Sequence, residues 1–246
     1  MTRLRLILGG LGAIVVLAGA WASPIALRQM DSFVVEQVEV HGTRYLAPEA
    51  VLEASGIAVG SSLWDDAASW QAALERHPMI RSARIDRRLP STLRITVTET
   101  EPVALVRTPA LEAVDGRGRL LPIAPEAVGL DLPIVAGAVS IGGDGLIEHA
   151  ATREALAAFE RLRAAEPDLA AAVSEIGVAR GELRLLLRVR QPAVARVDFD
   201  AGATQLRQVR LALEDLADRG ELERLRVLDG RFREQVVVEL YPQQTS

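Results

Sequence analysis

The chain has 246 residues, 49% of them hydrophobic and 25% charged, which is ample for one or two packed domains. A formal net charge of −5, with aromatics at only 4%, argues against nucleic acid as the main partner. Cysteine is absent, which excludes disulfides, thiolate metal sites and a cysteine nucleophile.

Residues 6–27 form an uncharged, mainly apolar run of 22 residues, about 33 Å long as a helix and enough to cross a bilayer. Arg3 and Arg5 precede it, so the positive-inside rule predicts a cytoplasmic tail at 1–5 and an exported remainder. Ala20-Trp21-Ala22 also fits a signal-peptide cleavage pattern. Continuation of the apolar run through Pro24, Ile25, Ala26 and Leu27 favours a retained transmembrane helix.

A small α/β unit follows. Residues 33–42 read as a strand with Val38 and Val40 inward. Pro48 and Gly56 bracket a helix, Pro48 to Ser55, by the preference for proline at the first position and glycine past the last. Asp65 and Asp66 suit the start of a second helix with Ala67, Trp70 and Leu74 on one face. Two alternating strands come next. Met79, Ala83 and Ile85 are predicted inward on the first, Leu93, Ile95 and Val97 on the second, with a turn at Leu89 to Thr92. The order is β-α-α-β-β over residues 33–102.

Beyond it, Leu111–Val114 and Leu120–Ile123 flank a Gly-containing turn. Glu148–Ala165 reads as a helix presenting Leu156, Phe159 and Leu162. Leu183, Leu185, Leu187 and Val189 alternate with arginines, and Val197 and Phe199 mark a further strand. A last helix carries Leu206, Val209, Leu213 and Leu216 and stops near Gly220, before strands at 224–228 and 235–241. The fold class predicted is α+β: an N-terminal transmembrane helix, the β-α-α-β-β domain, and a mainly antiparallel β domain with two helices at 103–242, then a tail at 243–246.

Candidate chemistry is sparse. Ile141-Gly142-Gly143-Asp144-Gly145 lacks the Gly-Lys-Ser/Thr ending of a phosphate loop. His41, His77 and His149 have no metal-ligand spacing, Asp65 and Asp66 read as helix-start charges, and no G-x-S-x-G elbow occurs. No catalytic, cofactor or metal residue is therefore assigned, and the chain is read as non-enzymatic. Arg81, Arg84, Arg87 and Arg88 form a basic cluster that reads as a solvated face or as a contact for acidic partners or anionic headgroups.

The ordered set Val38-x-Val40-x-Gly42, Leu46-x-Pro48-Glu49, Gly56 to Gly60, His77-Pro78-x-Ile80-x-x-Ala83-x-Ile85 and Arg88-x-Pro90-x-Thr92-Leu93-x-Ile95 resembles a POTRA domain. Val97-x-Glu99-x-x-Pro102-Val103-Ala104 resembles the form found in the FtsQ/DivIB family of bacterial cell-division proteins. The stretches Val114-Asp115-x-x-Gly118-Arg119-Leu120-Leu121-Pro122 and Leu132-Pro133-Ile134-Val135-x-Gly137 are similar to the start of that family's β domain. The resemblance implies a single-pass inner-membrane protein at the division septum, its bulk periplasmic. It implies a divisome scaffold whose partners are FtsB/DivIC-type and FtsL-type coiled-coil proteins and other divisome membrane proteins. The C-terminal strand region is the implied receiver, with Phe232, Arg233, Gln235, Val237 and Glu239 as partner-binding candidates and Val236, Val238 and Leu240 expected on the core. The alternative is a periplasmic POTRA-containing secretion or assembly factor, or an unidentified hydrolase.

Overall fold

The computed structural model describes residues 33–242 apart from 138 and 180. The predicted span at 6–27 and the tails at 1–5 and 243–246 lie outside the described residues. Among those residues no helix is long and apolar enough to cross a membrane. The chain divides into two compact units between Thr100 and Glu101.

The first unit runs β1 (Gln37–His41), α1 (Pro48–Ser55), α2 (Ala67–Leu74), β2 (Ile80–Arg88) and β3 (Thr92–Glu99). The strands lie in the order β1-β3-β2, β1 parallel and β2 antiparallel to β3. Both helix starts follow from local chemistry. Pro48 opens α1 where its missing N–H costs nothing, and Gly56 closes it at a φ of 67°. Asp66 caps α2 by accepting from the Ala68 N–H at 3.1 Å. Leu93, Ile95 and Val97 alternate into the core with Val51, Leu63 and Leu74.

Two expectations for this unit need correction. The first strand does not begin at Phe33: residues 33–35 pair instead with the loop ahead of α2, Val35 N–H to Ser61 O and Leu63 N–H to Phe33 O. The inward alternation does not run unbroken from Met79, because a bulge between Ile80 and Ser82 sets Arg81 aside and leaves both Met79 and Ile80 buried. Ile85 is half-buried against the same core. Glu99, buried at the end of β3, accepts from the Tyr45 and Leu46 N–H groups at 2.8 and 2.9 Å and fixes the approach to α1.

The second unit contains β4 (Ala104–Arg107), β5 (Leu111–Val114), β6 (Leu120–Leu121), β7 (Ile134–Val135), α3 (Ala150–Ala165), α4 (Pro167–Ala171) and β8 (Val173–Ala179). It continues with β9 (Glu182–Leu187), β10 (Val194–Asp198), α5 (Ala203–Asp218), β11 (Leu225–Asp229) and β12 (Val237–Leu240). One nine-stranded sheet takes the order β12-β11-β10-β9-β8-β7-β4-β5-β6. Its neighbours are mainly antiparallel, with β4/β7, β7/β8 and β10/β11 parallel. Leu156, Phe159 and Leu162 of α3 and Leu206, Val209 and Leu216 of α5 are buried with the inward residues of β8 to β11. Burial of a side chain such as Phe159 stabilises by about 1.5–3 kcal/mol.

Three α-helical segments stand where two were expected. Pro167 disfavours helical backbone at Glu166, whose φ of −137° ends α3 and lets Pro167 open α4. The buried Glu166 carboxylate then receives Arg210 of α5 at 2.7 Å. Smaller differences concern strand ends, where Val189 and Phe199 pack against the core without joining a strand. Ile123, Val189 and Phe199 lie beyond strand ends, and the last strand is Val237–Leu240 rather than 235–241.

Candidate functional site at the open sheet edge

Strand β12 is the outermost of the nine and, among the described residues, pairs with β11 alone. The register sets Asp229 opposite Val237, Leu228 opposite Val238, Val227 opposite Glu239 and Leu225 opposite Leu240. Asp229 ends β11, and Gly230, whose Asp-Gly pairing is a local turn signal in the sequence, opens a longer connection through Val236. Past β12 the Tyr241 N–H donates to Arg224 O at 2.7 Å, and the Arg224 guanidinium donates back to Tyr241 O. The Tyr241 hydroxyl reaches Pro192 O at 3.1 Å, so the strand is clamped at its far end. Because N–H directions alternate along a strand, that inward Tyr241 amide turns those of Val237 and Glu239 toward β11. The amides of Val238 and Leu240 then face the open edge.

Of the expected partner-binding residues, Phe232 (45% exposed), Arg233 and Gln235 occupy the exposed connection, and Val237 (39% exposed) and Glu239 stand on β12. Val236 and Leu240 pack against the core as expected. Val238 does not: it is 37% exposed, since among the described residues no strand lies beyond the edge to cover it. Phe232, Val237 and Val238 therefore give this edge an exposed apolar character beside a row of backbone groups free to pair.

Sequence reading missed what holds the edge in place. Gly177, Arg184, Arg196, Asp229 and Val237 share one register row on the face turned from the helices. Next to that row, the nearly buried Glu182 carboxylate accepts from Arg184 at 2.9 Å, from Arg196 at 2.9 and 3.0 Å, and from Arg231 at 2.8 Å. Asp229 accepts from the Arg231 side chain at 2.8 and 2.6 Å and from its N–H at 3.2 Å. Burial alone would raise the Glu182 pKa, but the Arg196 and Arg184 hydrogen bonds and the nearby guanidinium charges outweigh it and hold the carboxyl below its usual range. The Arg231 hydrogen bonds, outweighing burial, do the same for Asp229, and that partnership raises the Arg231 pKa in turn. Asp198, beside them, is pushed up by burial and by Asp200.

Gly230 is required here because an added Cβ would lie 2.3 Å from Val209 Cγ2. Its N–H donates to Arg196 O at 2.9 Å, and Gln205 of α5 holds its carbonyl. The only local sequence signal was the Asp229-Gly230 pair. Of the Glu182 partners, Arg196 and Arg231 lie 14 and 49 residues away and are invisible to any local pattern.

The basic cluster does not form one face. Arg84 and Arg88 alternate with Ile85, and Arg84 pairs with Asp86 at 3.3 Å. Arg87 points the other way, donating to Leu63 O at 2.6 Å and Asp65 O at 2.9 Å and stacking over Trp64, so it pins a loop. Arg81 sits at the bulge. Among the remaining candidates, Asp65 accepts from the Ser62 N–H, and Gly142 and Leu146 close a tight turn around Asp144. Among the described residues no group of three His, Asp or Glu side chains could hold a metal ion.

Comparison with known proteins gives this geometry its context. Residues 33–100 match the family of POTRA domains of the FtsQ type. The chain is 28% identical over 206 residues to the cell division protein FtsQ of Myxococcus fulvus, covering 82% of this chain and 71% of that protein. It is 35% identical over 108 residues to FtsQ of Anaeromyxobacter sp. strain K, covering 44% and 37%. It is 37% identical over 73 residues to the cell division protein DivIB of Geobacillus kaustophilus, covering 29% and 28%. In the latter two the aligned stretch thus spans well under half of the relative's length.

Proposed function

With its resemblance to the FtsQ/DivIB family borne out by the POTRA match and by these relatives, we infer that the chain is a non-enzymatic scaffold of bacterial cell division. Residues 6–27 anchor it in the inner membrane with the N-terminus cytoplasmic. The two units from residue 33 onward then lie on the outer side of that membrane at the septum. Along β12 the scaffold receives an extended segment of an FtsB/DivIC-type or FtsL-type coiled-coil division protein, which adds as a further strand.

The observation that supports this reading is the state of β12. It is a terminal strand with Val238 and Leu240 amides facing outward, no covering element among the described residues, and Phe232, Val237 and Val238 exposed beside it. Main-chain pairing would supply affinity to such a partner, and the exposed apolar side chains would select it. Arg231, tied to Glu182 and Asp229, keeps the approach to the strand in one conformation, which lowers the ordering cost of binding.

The test is titration of the full chain, reconstituted in lipid nanodiscs, with the extracytoplasmic part of the host's FtsB/DivIC-type protein. Amide exchange is read along residues 225–241. Saturable binding with new protection at Val238 and Leu240 supports the reading. Saturable binding that leaves those amides unprotected places the partner elsewhere on the chain, and absence of binding refutes the scaffold role for this partner class.

A further inference from the structure

We propose that the end of the POTRA unit carrying Leu89 and Val59 rests in the headgroup region of the bilayer from which the chain emerges. The inference rests on the reading that residues 6–27 span the membrane, and it adds a second, peripheral lipid contact made by the folded unit itself.

The chain is fixed into the unit from its first described residue, because Phe33 O accepts the Leu63 N–H at 2.7 Å. Residues 28–32 alone separate Phe33 from the end of the uncharged run, a reach of about 17 Å even fully extended at ~3.3–3.6 Å per residue. The part of the unit near Phe33 is therefore held close to the bilayer surface.

Two loops are tied to that part. The Gly60 N–H donates to Val35 O at 2.9 Å, which brings in Val59. Ser91 O accepts from the Glu36 and Gln37 N–H groups at 2.9 and 3.3 Å, which brings in the Leu89-Pro90 tip between β2 and β3. Val59 is 74% and Leu89 61% exposed, the largest values for a large aliphatic side chain among the described residues. Singly exposed aliphatics need no explanation, but two on loops joined to the same few residues, next to the predicted membrane exit, do.

The aromatic arrangement fits the same surroundings. Phe33 meets Trp64 edge to face at 6.1 Å, and Arg87 lies over the Trp64 ring at 5.6 Å. Aromatic rings and arginine stems with polar tips suit the boundary between headgroups and acyl chains. Charge does not drive the contact: Arg87 and Arg88 are offset by Glu36, Asp65 and Asp66 in the same region. The surface recognised is thus the apolar boundary of a phospholipid layer, independent of headgroup charge.

The absence of native cysteine makes the test direct. Full-length Val59→Cys, Leu89→Cys, Thr98→Cys and Ile14→Cys variants are labelled with a polarity-sensitive fluorophore. Each is placed in nanodiscs of phosphatidylcholine alone and of phosphatidylcholine with phosphatidylglycerol, with and without lipids carrying a shallow nitroxide. Thr98, exposed at the end of β3 away from the Leu89-Pro90 tip, is the water-facing reference within the same unit, and Ile14 reports the anchor through its emission. The expected result is blue-shifted emission quenched by the nitroxide lipid at 59 and 89, equal in the two lipid mixtures, a blue shift at 14, and the label at 98 unaffected. A blue shift at 14 with labels at 59 and 89 as water-exposed as that at 98 overturns the lipid contact while leaving the anchor intact. No blue shift at 14 overturns the anchor reading, and this inference with it. A blue shift at 59 and 89 without quenching assigns the rim to a protein contact, and quenching confined to the anionic mixture refutes the charge-independent contact.

Discussion

Replacing Glu182 by glutamine removes the charge at the centre of the network behind the β12 edge while keeping its shape. Three guanidinium groups converge on this carboxylate at 2.8–2.9 Å, and its side chain is only 8% exposed. An exposed ion pair contributes about 0–1 kcal/mol, whereas removing one partner of a fully buried pair costs about 3–5 kcal/mol. The arginines are 28–53% exposed, so water takes up part of the unbalanced charge. Asp229 still neutralises Arg231. The expected loss is about 2 kcal/mol at neutral pH, a fall of about 4–8 °C in the melting of the second unit.

The pH dependence gives this prediction its sign. Glu182 has a folded-state pKa below its unfolded one, so its stabilisation is complete above the unfolded value, near 4.3, and disappears as pH falls through the folded value. Wild type and Glu182→Gln should therefore differ at pH 7 and converge in acid. Asp198, with a pKa raised by burial and by Asp200, acts oppositely; the Glu182 charge adds to that rise behind these two, so Glu182→Gln relieves only part of it. Differential scanning calorimetry of both proteins from pH 7 down to the acid limit of reversibility measures the effect. Equal melting at pH 7, or a difference that persists undiminished in acid, would refute the electrostatic account of this network.

Three further outcomes follow from packing and hydrogen bonding. Leu93→Asp should abolish folding of the POTRA unit at a cost of several kcal/mol, Ile85→Asp should cost less because Ile85 is half-buried, and Arg84→Ala should stay within about 0.5 kcal/mol; thermal melts rank them. Gly230→Ala should lower the stability of the second unit by about 1–3 kcal/mol through overlap with Val209, and adding Val209→Ala should recover part of it in the same melts. Glu99→Ala leaves the Tyr45 and Leu46 N–H groups without their acceptor, an expected cost of about 1–3 kcal/mol in urea titration with faster exchange at both amides.

Most of the POTRA unit was legible because its signals are local. Pro48 and Gly56 delimit α1, Asp66 caps α2, and Leu93-x-Ile95-x-Val97 declares the face of β3 within a few residues. The bulge at Arg81 was not legible, since it answers to the opposing strand at Thr98 and Glu99. In the second unit β8 escaped because Val173-Ser174-Glu175-Ile176-Gly177 carries a second register shift that interrupts its alternation. A terminal strand here was expected from the family resemblance and the valine-rich end, but its geometry was not. Which amides point outward depends on pairing with β11, and the anchoring of Arg231 depends on Glu182, brought alongside only by the sheet.

The most direct test of the central claim compares proline substitutions at adjacent positions of β12. Val238→Pro removes an outward amide, whereas Val237→Pro removes one directed at β11. Each full-length variant is melted and titrated with the proposed FtsB/DivIC-type partner. The account predicts that Val238→Pro keeps near-wild-type melting and loses about tenfold or more in affinity, as expected for one lost main-chain hydrogen bond and its displaced neighbours. Val237→Pro should instead lower the melting temperature of the second unit. A Val238→Pro protein that binds the partner with unchanged affinity would contradict strand addition at this edge.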